Sequence, residues 1–126
     1  MNTMRKTARK PVEWVGSSRD DVREFPRDVR RVIGQAIDDA QTGGEHPSAK
    51  ALKGFGGRGV IEIVDDFDGD TYRAVYTVKF SGVVYVLHAF QKKSKTGRAT
   101  PQHEIALIKS RLKRAEQHHR TSYAKG

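Results

Sequence analysis

Three β-forming runs joined by two very short connections constrain this chain more than any other feature. Val60-Ile61-Glu62-Ile63-Val64 is followed by Asp68-Gly69. Thr71 to Phe80 is followed by Ser81-Gly82, and Val83 to Phe90 closes the series as the most apolar stretch of the sequence. Asp-Gly tolerates the positive φ angles that a tight hairpin needs. Connections this short leave no room for a crossover, so the three runs predict an antiparallel meander.

The flanks read as helices and one more strand. Pro11 to Val15 alternates in polarity and predicts a short strand. Ser17 and Ser18, with Asp20 and Asp21 three residues on, form a capping-box pattern, and the acids suit the positive end of a helix dipole. Pro26 ends that helix or begins another. Val29, Val32, Ile33, Ala36, Ile37 and Ala40 then recur at helical spacing until Gly43-Gly44, predicting two helices or one kinked helix over roughly 19–42. Residues 43–59 read as a loop and Gln91 to Thr100 as a basic loop. Pro101 opens a last helix to about His119, with Ile105, Ile108 and Leu112 on one side. The order predicts an α+β domain: an antiparallel sheet with two N-terminal helices and a C-terminal helix. Residues 1–10 read as a disordered basic arm, 11–119 as the domain and 120–126 as a flexible tail.

Composition removes several chemistries. The chain has no cysteine, which excludes a disulfide framework, a thiolate zinc site and a cysteine nucleophile and fits a reducing compartment. No run is long and apolar enough to span a membrane, and the first ten residues lack the apolar stretch of a secretory signal. A cytoplasmic protein without a membrane partner is expected. The net charge of +9 is unevenly spread. Residues 61–70 hold five acids and no base, whereas 71–126 hold twelve basic residues and two acidic ones, Glu104 and Glu116. Such asymmetry points to a polyanion partner, most often nucleic acid.

Two motifs tempt and fail. Gly54 to Gly59 matches G-x-G-x-x-G, but a dinucleotide loop follows a strand and opens a helix, and this one precedes a strand. Asp66, Asp68 and Asp70 begin like a calcium loop, yet its sixth and twelfth positions are Thr71 and Thr77 instead of Gly and Glu. The five histidines show no metal spacing. No metal site or dinucleotide loop is therefore expected.

The cations do converge. Antiparallel pairing sets Arg73, near the start of the middle strand, beside Lys92 and Lys93, just past the end of the next, with Lys95 and Arg98 following. The loop carrying Lys53 and Arg58 lies either at the opposite end of the middle strand or across the sheet face. A cluster of Arg and Lys without carboxylates suits a phosphate and not a metal. Crowding lowers a lysine's pKa, so such a cluster can supply its own base. Arg73 has a second option, an ion pair with Asp65 or Asp66. Tyr72, Tyr76, Tyr85 and Phe90 read as core, and Phe55, in its glycine-rich loop, as an exposed stacking surface for a base.

Several ordered blocks carry a resemblance: Ser18-Arg19-Asp20-Asp21, Phe25-Pro26, Leu52-Lys53-Gly54-Phe55-Gly56, Gly59-Val60-Ile61-Glu62-Ile63, Tyr72-Arg73-Ala74-Val75-Tyr76, Val84 through Ser94, and Thr100-Pro101. Together they resemble the RelE/ParE superfamily of toxins, specifically the phage-derived HigB-like group. The resemblance implies a microbial-RNase-like fold and cleavage of mRNA in the ribosomal A site, in contact with ribosomal RNA and without a cofactor. It implies attack of the ribose 2′-hydroxyl on the adjacent phosphate. By the family pattern Lys53, Arg73 and Lys92 or Lys93 are the catalytic cations; Phe55, Arg58, Lys95 and Arg98, from their own placement in the sequence, are the expected RNA-binding residues. The family's C-terminal tyrosine has only Tyr123 as a counterpart, with His88 as the other candidate proton donor. The superfamily also holds ParE-type gyrase inhibitors, and an inactive prophage relative is a third reading. A cognate helix-turn-helix antitoxin is the implied partner, either plugging the site around Arg73 and Lys92 or, as the favoured mode, binding the helices at 19–42, where Val22, Phe25 and Val29 would offer apolar surface.

Overall fold

The computed structural model describes residues 9–57, 59–92 and 100–123. In chain order the elements are β1 (Val12–Trp14), α1 (Ser18–Arg23), α2 (Arg27–Gln41), β2 (Ala49–Ala51), β3 (Val60–Phe67), β4 (Asp70–Thr77), β5 (Val84–Lys92) and α3 (Gln102–Ser122). The antiparallel meander forms with its first turn as predicted, but the middle strand ends at Thr77 and not Phe80, so the second connection spans residues 78–83. Asp68 and Gly69 adopt φ of 51° and 85°, and Phe67 pairs with Asp70 across this two-residue turn.

The sheet departs from expectation in two ways. It is mixed, not antiparallel: in the order β1-β5-β4-β3-β2, β1 lies parallel to β5, with Val12 opposite Val84 and Trp14 opposite Val86. Turn length dictates direction only between strands joined by a turn. β1 reaches β5 after two helices and three other strands, so nothing local sets its sense. The stretch at 43–59, read as loop, also contains β2, which pairs antiparallel with β3 through Ala49–Ile63 and Ala51–Ile61. Ala-Lys-Ala carries no strand signal of its own; the exposed edge of β3 supplies the partner.

Helices cover both sheet faces. Val29, Ile33, Ala36, Ile37 and Ala40 of α2 pack with Val22 and Phe25 onto Ile61, Ile63, Tyr72, Ala74, Tyr76, Val84 and Val86. On the other face Ile108 and Ala115 of α3 meet Val60, Val75, Tyr85 and Leu87. Strand alternation sends neighbouring residues to opposite cores, which is why β4 and β5 are buried almost throughout. Tyr72, Tyr76, Tyr85 and Phe90 are core residues, as read.

The helix ends correct further details. Two separate helices form, with Pro26 as N-cap of α2. Gly43, at φ 86°, ends α2: its N–H donates to the Ala40 carbonyl and that of Gly44 to Asp39, a Schellman closure. The capping box at α1 does not form. Ser17 makes no side-chain cap; its hydroxyl instead donates to the Asp21 carboxylate at 2.8 Å. α3 continues past His119 to Ser122, and the Tyr123 hydroxyl then donates to Glu13 at 2.6 Å. Residues 120–122 are therefore helix and not tail. At the other terminus Arg9 pairs with Asp38, and the Lys10 N–H donates to the Gln41 carbonyl. Val22 and Phe25 are 8% exposed and Val29 is fully buried. They belong to the core and offer no apolar surface to a partner. Among the described residues no helix is long and apolar enough to cross a membrane.

Candidate functional site

The sheet face beneath α3 gathers the chemistry. Register places Val64, Arg73 and Phe90 in one row, Glu62, Val75 and His88 in the next, and Thr71 beside Lys92 at the strand ends. A register shift between Val75 and Tyr76 leaves Leu87 without a rung. This bulge brings Leu87 and His88, successive residues, both onto the α3 side, where plain alternation would separate them.

Arg73 is not an exposed cation. Its Nη1 donates to Glu62 Oε2 at 2.7 Å and to Thr100 Oγ1 at 3.2 Å, and the two charged side chains are each 6% exposed. The partner is Glu62 and neither Asp65 nor Asp66. Thr100 Oγ1 also donates to Glu62 Oε2 at 3.2 Å, closing a three-residue network over the sheet. The expectation of a cluster free of carboxylates is therefore corrected. Glu62 is one of the five acids in residues 61–70, and its place in β3 turns it inward.

His88 is buried as well. Its Nε2 lies 2.5 Å from Glu104 Oε1, and its Nδ1 lies 3.2 Å from Arg111 Nη1. The ring stacks on Phe90 with centroids 5.1 Å apart. Arg111 Nη1 also donates to the bulged Leu87 carbonyl at 3.0 Å, and Nη2 to Ser17 Oγ at 3.1 Å. Burial lowers the Arg111 pKa, and Arg114 lowers it too, while Asp21 and Glu104 oppose the shift. Glu62, Thr100, Glu104 and Arg111 were not singled out from the sequence. A signal existed for two of them: Glu104, Ile108, Arg111 and Ala115 recur at helical spacing, and the last three are buried.

The remaining cations sit at two separate places. Lys92 is half-buried on the last rung of β5. Lys93, Lys95 and Arg98 lie outside the described residues, as does Arg58. The Lys53 loop is anchored at the other end of the sheet. The Leu52 N–H donates to the Val60 carbonyl, and the Val78 N–H and Thr77 hydroxyl to that of Gly59. Thr77 and Thr71, the β4 residues at the two ends, stand roughly 20 Å apart at strand rise. From this anchor the loop also folds across the sheet face, so the two sequence alternatives hold together. Its tip, Phe55, is half-buried on the α3-side core, with the Lys109 ammonium 5.9 Å from the ring centre. Phe55 is thus less open than a free stacking platform, and Lys53 stays exposed at the loop's turn.

Tyr123 is tied to β1 at the far end of α3, with its hydroxyl pKa raised by the hydrogen bond to Glu13. A recess of about 640 Å³ opens nearby between β1 and the C-terminal half of α3, bordered by Trp14, Tyr85, Arg114 and His118. It is separate from the His88 and Arg73 networks.

Residues 20–113 match the family described as Phage derived protein Gp49-like (DUF891). No curated protein matches the chain. Among solved structures, an arginine double mutant of Escherichia coli toxin RelE in the free state superposes with a TM-score of 0.53 at 16% identity, covering 84% of this chain and 97% of that one. The toxin–antitoxin complex RelBE2 from Mycobacterium tuberculosis aligns with a TM-score of 0.45 at 16% identity, over 71% of this chain and 98% of its counterpart. Three-quarters of the chain fall within the matched family, and most of the chain superposes on the free toxin: the chain belongs to the phage-derived Gp49-like family and has a RelE-like fold.

Proposed function

We propose that this chain is the toxin of a type II toxin–antitoxin pair, of the HigB-like group, and that it arrests translation by cutting mRNA in the ribosomal A site. One observation carries the reading beyond family: β4 and β5 place Arg73, His88 and Lys92 on one sheet face within a few rungs, where the cation-rich stretch begins. Charge for a phosphate, at Lys92, and a group for proton transfer, at His88, thus share one sheet face. The reaction needs both. The 2′-oxygen bonds to phosphorus and gives up its proton, the bond to the 5′-oxygen breaks, and that oxygen gains a proton. A 2′,3′-cyclic phosphate and a 5′-hydroxyl end result, with no metal in the scheme.

The roles follow exposure. Lys92, with Lys93, Lys95 and Arg98 after it in sequence, supplies the phosphate-binding charge. Arg73 orders the face through Glu62 and Thr100. Lys53 and Phe55, with Arg58 after them in sequence, supply a second RNA contact. Lys53 follows Leu52, which is tied to Val60 at the opposite end of the sheet from Lys92, and proton transfer is assigned to the buried network around His88. A cognate antitoxin covers the basic side in the resting state. Expressing the chain without its antitoxin and mapping RNA ends on stalled ribosomes tests the proposal. New 5′-hydroxyl ends in the A-site codon are expected; intact transcripts with gyrase-linked DNA breaks would establish a ParE-type inhibitor instead.

A further inference from the structure

We propose that Glu104 is the proton-accepting group of this site and that Arg111 is the positioning residue that holds His88 as its neutral hydrogen-bond donor. The inference rests on the RNA-cleaving reading and adds two residues to it. A guanidinium carries only donors. With Arg111 Nη1 at 3.2 Å, His88 Nδ1 has to accept, so the ring hydrogen sits on Nε2 and points at Glu104 Oε1, 2.5 Å away. Protonating Nδ1 would set two donors against each other. Arg111 cannot readily turn aside: the Leu87 carbonyl and Ser17 hydroxyl hold its two terminal nitrogens. Gly16 lies beside the guanidinium so closely that a Cβ there would stand 2.8 Å from it.

Exposure decides which group meets substrate. The His88 side chain is 7% exposed with both nitrogens engaged, whereas that of Glu104 keeps 17%. Its outer oxygen, Oε2, stands 3.3 Å from His103, whose side chain is 80% exposed. The outward-facing atom of the chain Ser17–Arg111–His88–Glu104 is therefore a carboxylate oxygen. The groups around it are His103 on the solvent side, the Phe90 ring on His88, the Glu62–Arg73 pair on the same sheet face, and Asp21 and Arg114 about Arg111. In the step, the 2′-hydroxyl proton passes to Glu104 as the 2′-oxygen bonds to phosphorus. The 5′-oxygen leaves with a proton drawn from solvent, and Glu104 afterwards returns its proton to water.

Two measurements test this on the full chain. In a ribosome-dependent cleavage assay, Glu104→Gln should fold and cut about 100-fold more slowly or worse. It should also lose the rise of rate with pH on the acid side. A rate within a few-fold of wild type overturns the assignment. If Glu104→Gln does not fold, Glu104→Asp replaces it: the acid limb should persist at reduced rate, and an unaltered rate overturns the assignment. Second, ¹⁵N shifts of the His88 ring should show the Nε2–H tautomer in wild type and a mixture in Arg111→Lys. An unchanged tautomer removes the positioning role. Wild-type protein that leaves mRNA intact sinks the RNA-cleaving reading and the role of Glu104 with it, while the tautomer measurement still decides that of Arg111.

Discussion

Replacing Glu62 with Leu should bring this domain close to unfolding. The substitution leaves the Arg73 guanidinium 6% exposed, without its 2.7 Å carboxylate, and with Thr100 as its other hydrogen-bond partner in this network. Stranding one member of a buried pair costs about 3–5 kcal/mol, against a total of about 5–15 kcal/mol for a domain. With unfolding entropy scaled to a chain of this length, 1 kcal/mol corresponds to about 4 °C, so Tm should fall by about 11–19 °C. Arg73→Met should cost a similar amount, because Glu62 then keeps its charge with Thr100 as its hydrogen-bond donor. The double variant Glu62→Leu/Arg73→Met removes both charges of the pair and should recover most of the loss. Thermal and urea melts followed by circular dichroism measure all three. A single variant that loses under about 1 kcal/mol would mean that solvent screens the pair. A double variant no better than the sum of the singles would mean the two residues are uncoupled. The same cycle separates structure from chemistry: a folded double variant that has lost only cleavage would return Arg73 to direct phosphate contact.

Gly16→Ala should lose about 1–2 kcal/mol from its φ of 59° alone, more if Arg111 is displaced, and a Tm unchanged to within a degree would refute the close packing drawn there. Burial pushes the Tyr76 and Tyr85 phenols up to about 12, with Glu45 and Asp39 adding to the first and Glu13 to the second. Since the folded state favours the neutral phenol, this stability is fully present below pH 10 and is lost as pH rises toward 12. An ultraviolet titration in which all four tyrosines ionise near 10 in the folded protein would contradict this. Lys92→Ala should reduce the salt dependence of single-stranded RNA binding by a slope of about 0.7, the share of one phosphate contact. An unaltered slope would remove Lys92 from the RNA surface.

Much of this protein was legible along the chain because local rules govern it. Asp68-Gly69 dictates a hairpin, the spacing of Val29 to Ala40 dictates a helix with one buried face, and Gly43-Gly44 ends it. The ordered blocks from Ser18 to Pro101 were enough for family and fold class. The site was less legible. Sequence proximity suggested a purely cationic cluster, but long-range packing decided otherwise. β3 turns Glu62 inward beneath Arg73, and α3 lays Glu104 and Arg111 on either side of His88. The parallel pairing of β1 with β5, the recruitment of Ala49–Ala51 to a strand and the bulge at Leu87 also belong to this class. Turn chemistry and periodicity act over a few residues, and the sequence determines them by itself. Which charges are buried together, and which are left at the surface, depends on elements tens of residues apart closing over the same sheet face, where a buried ion must find its counter-ion or remain in water.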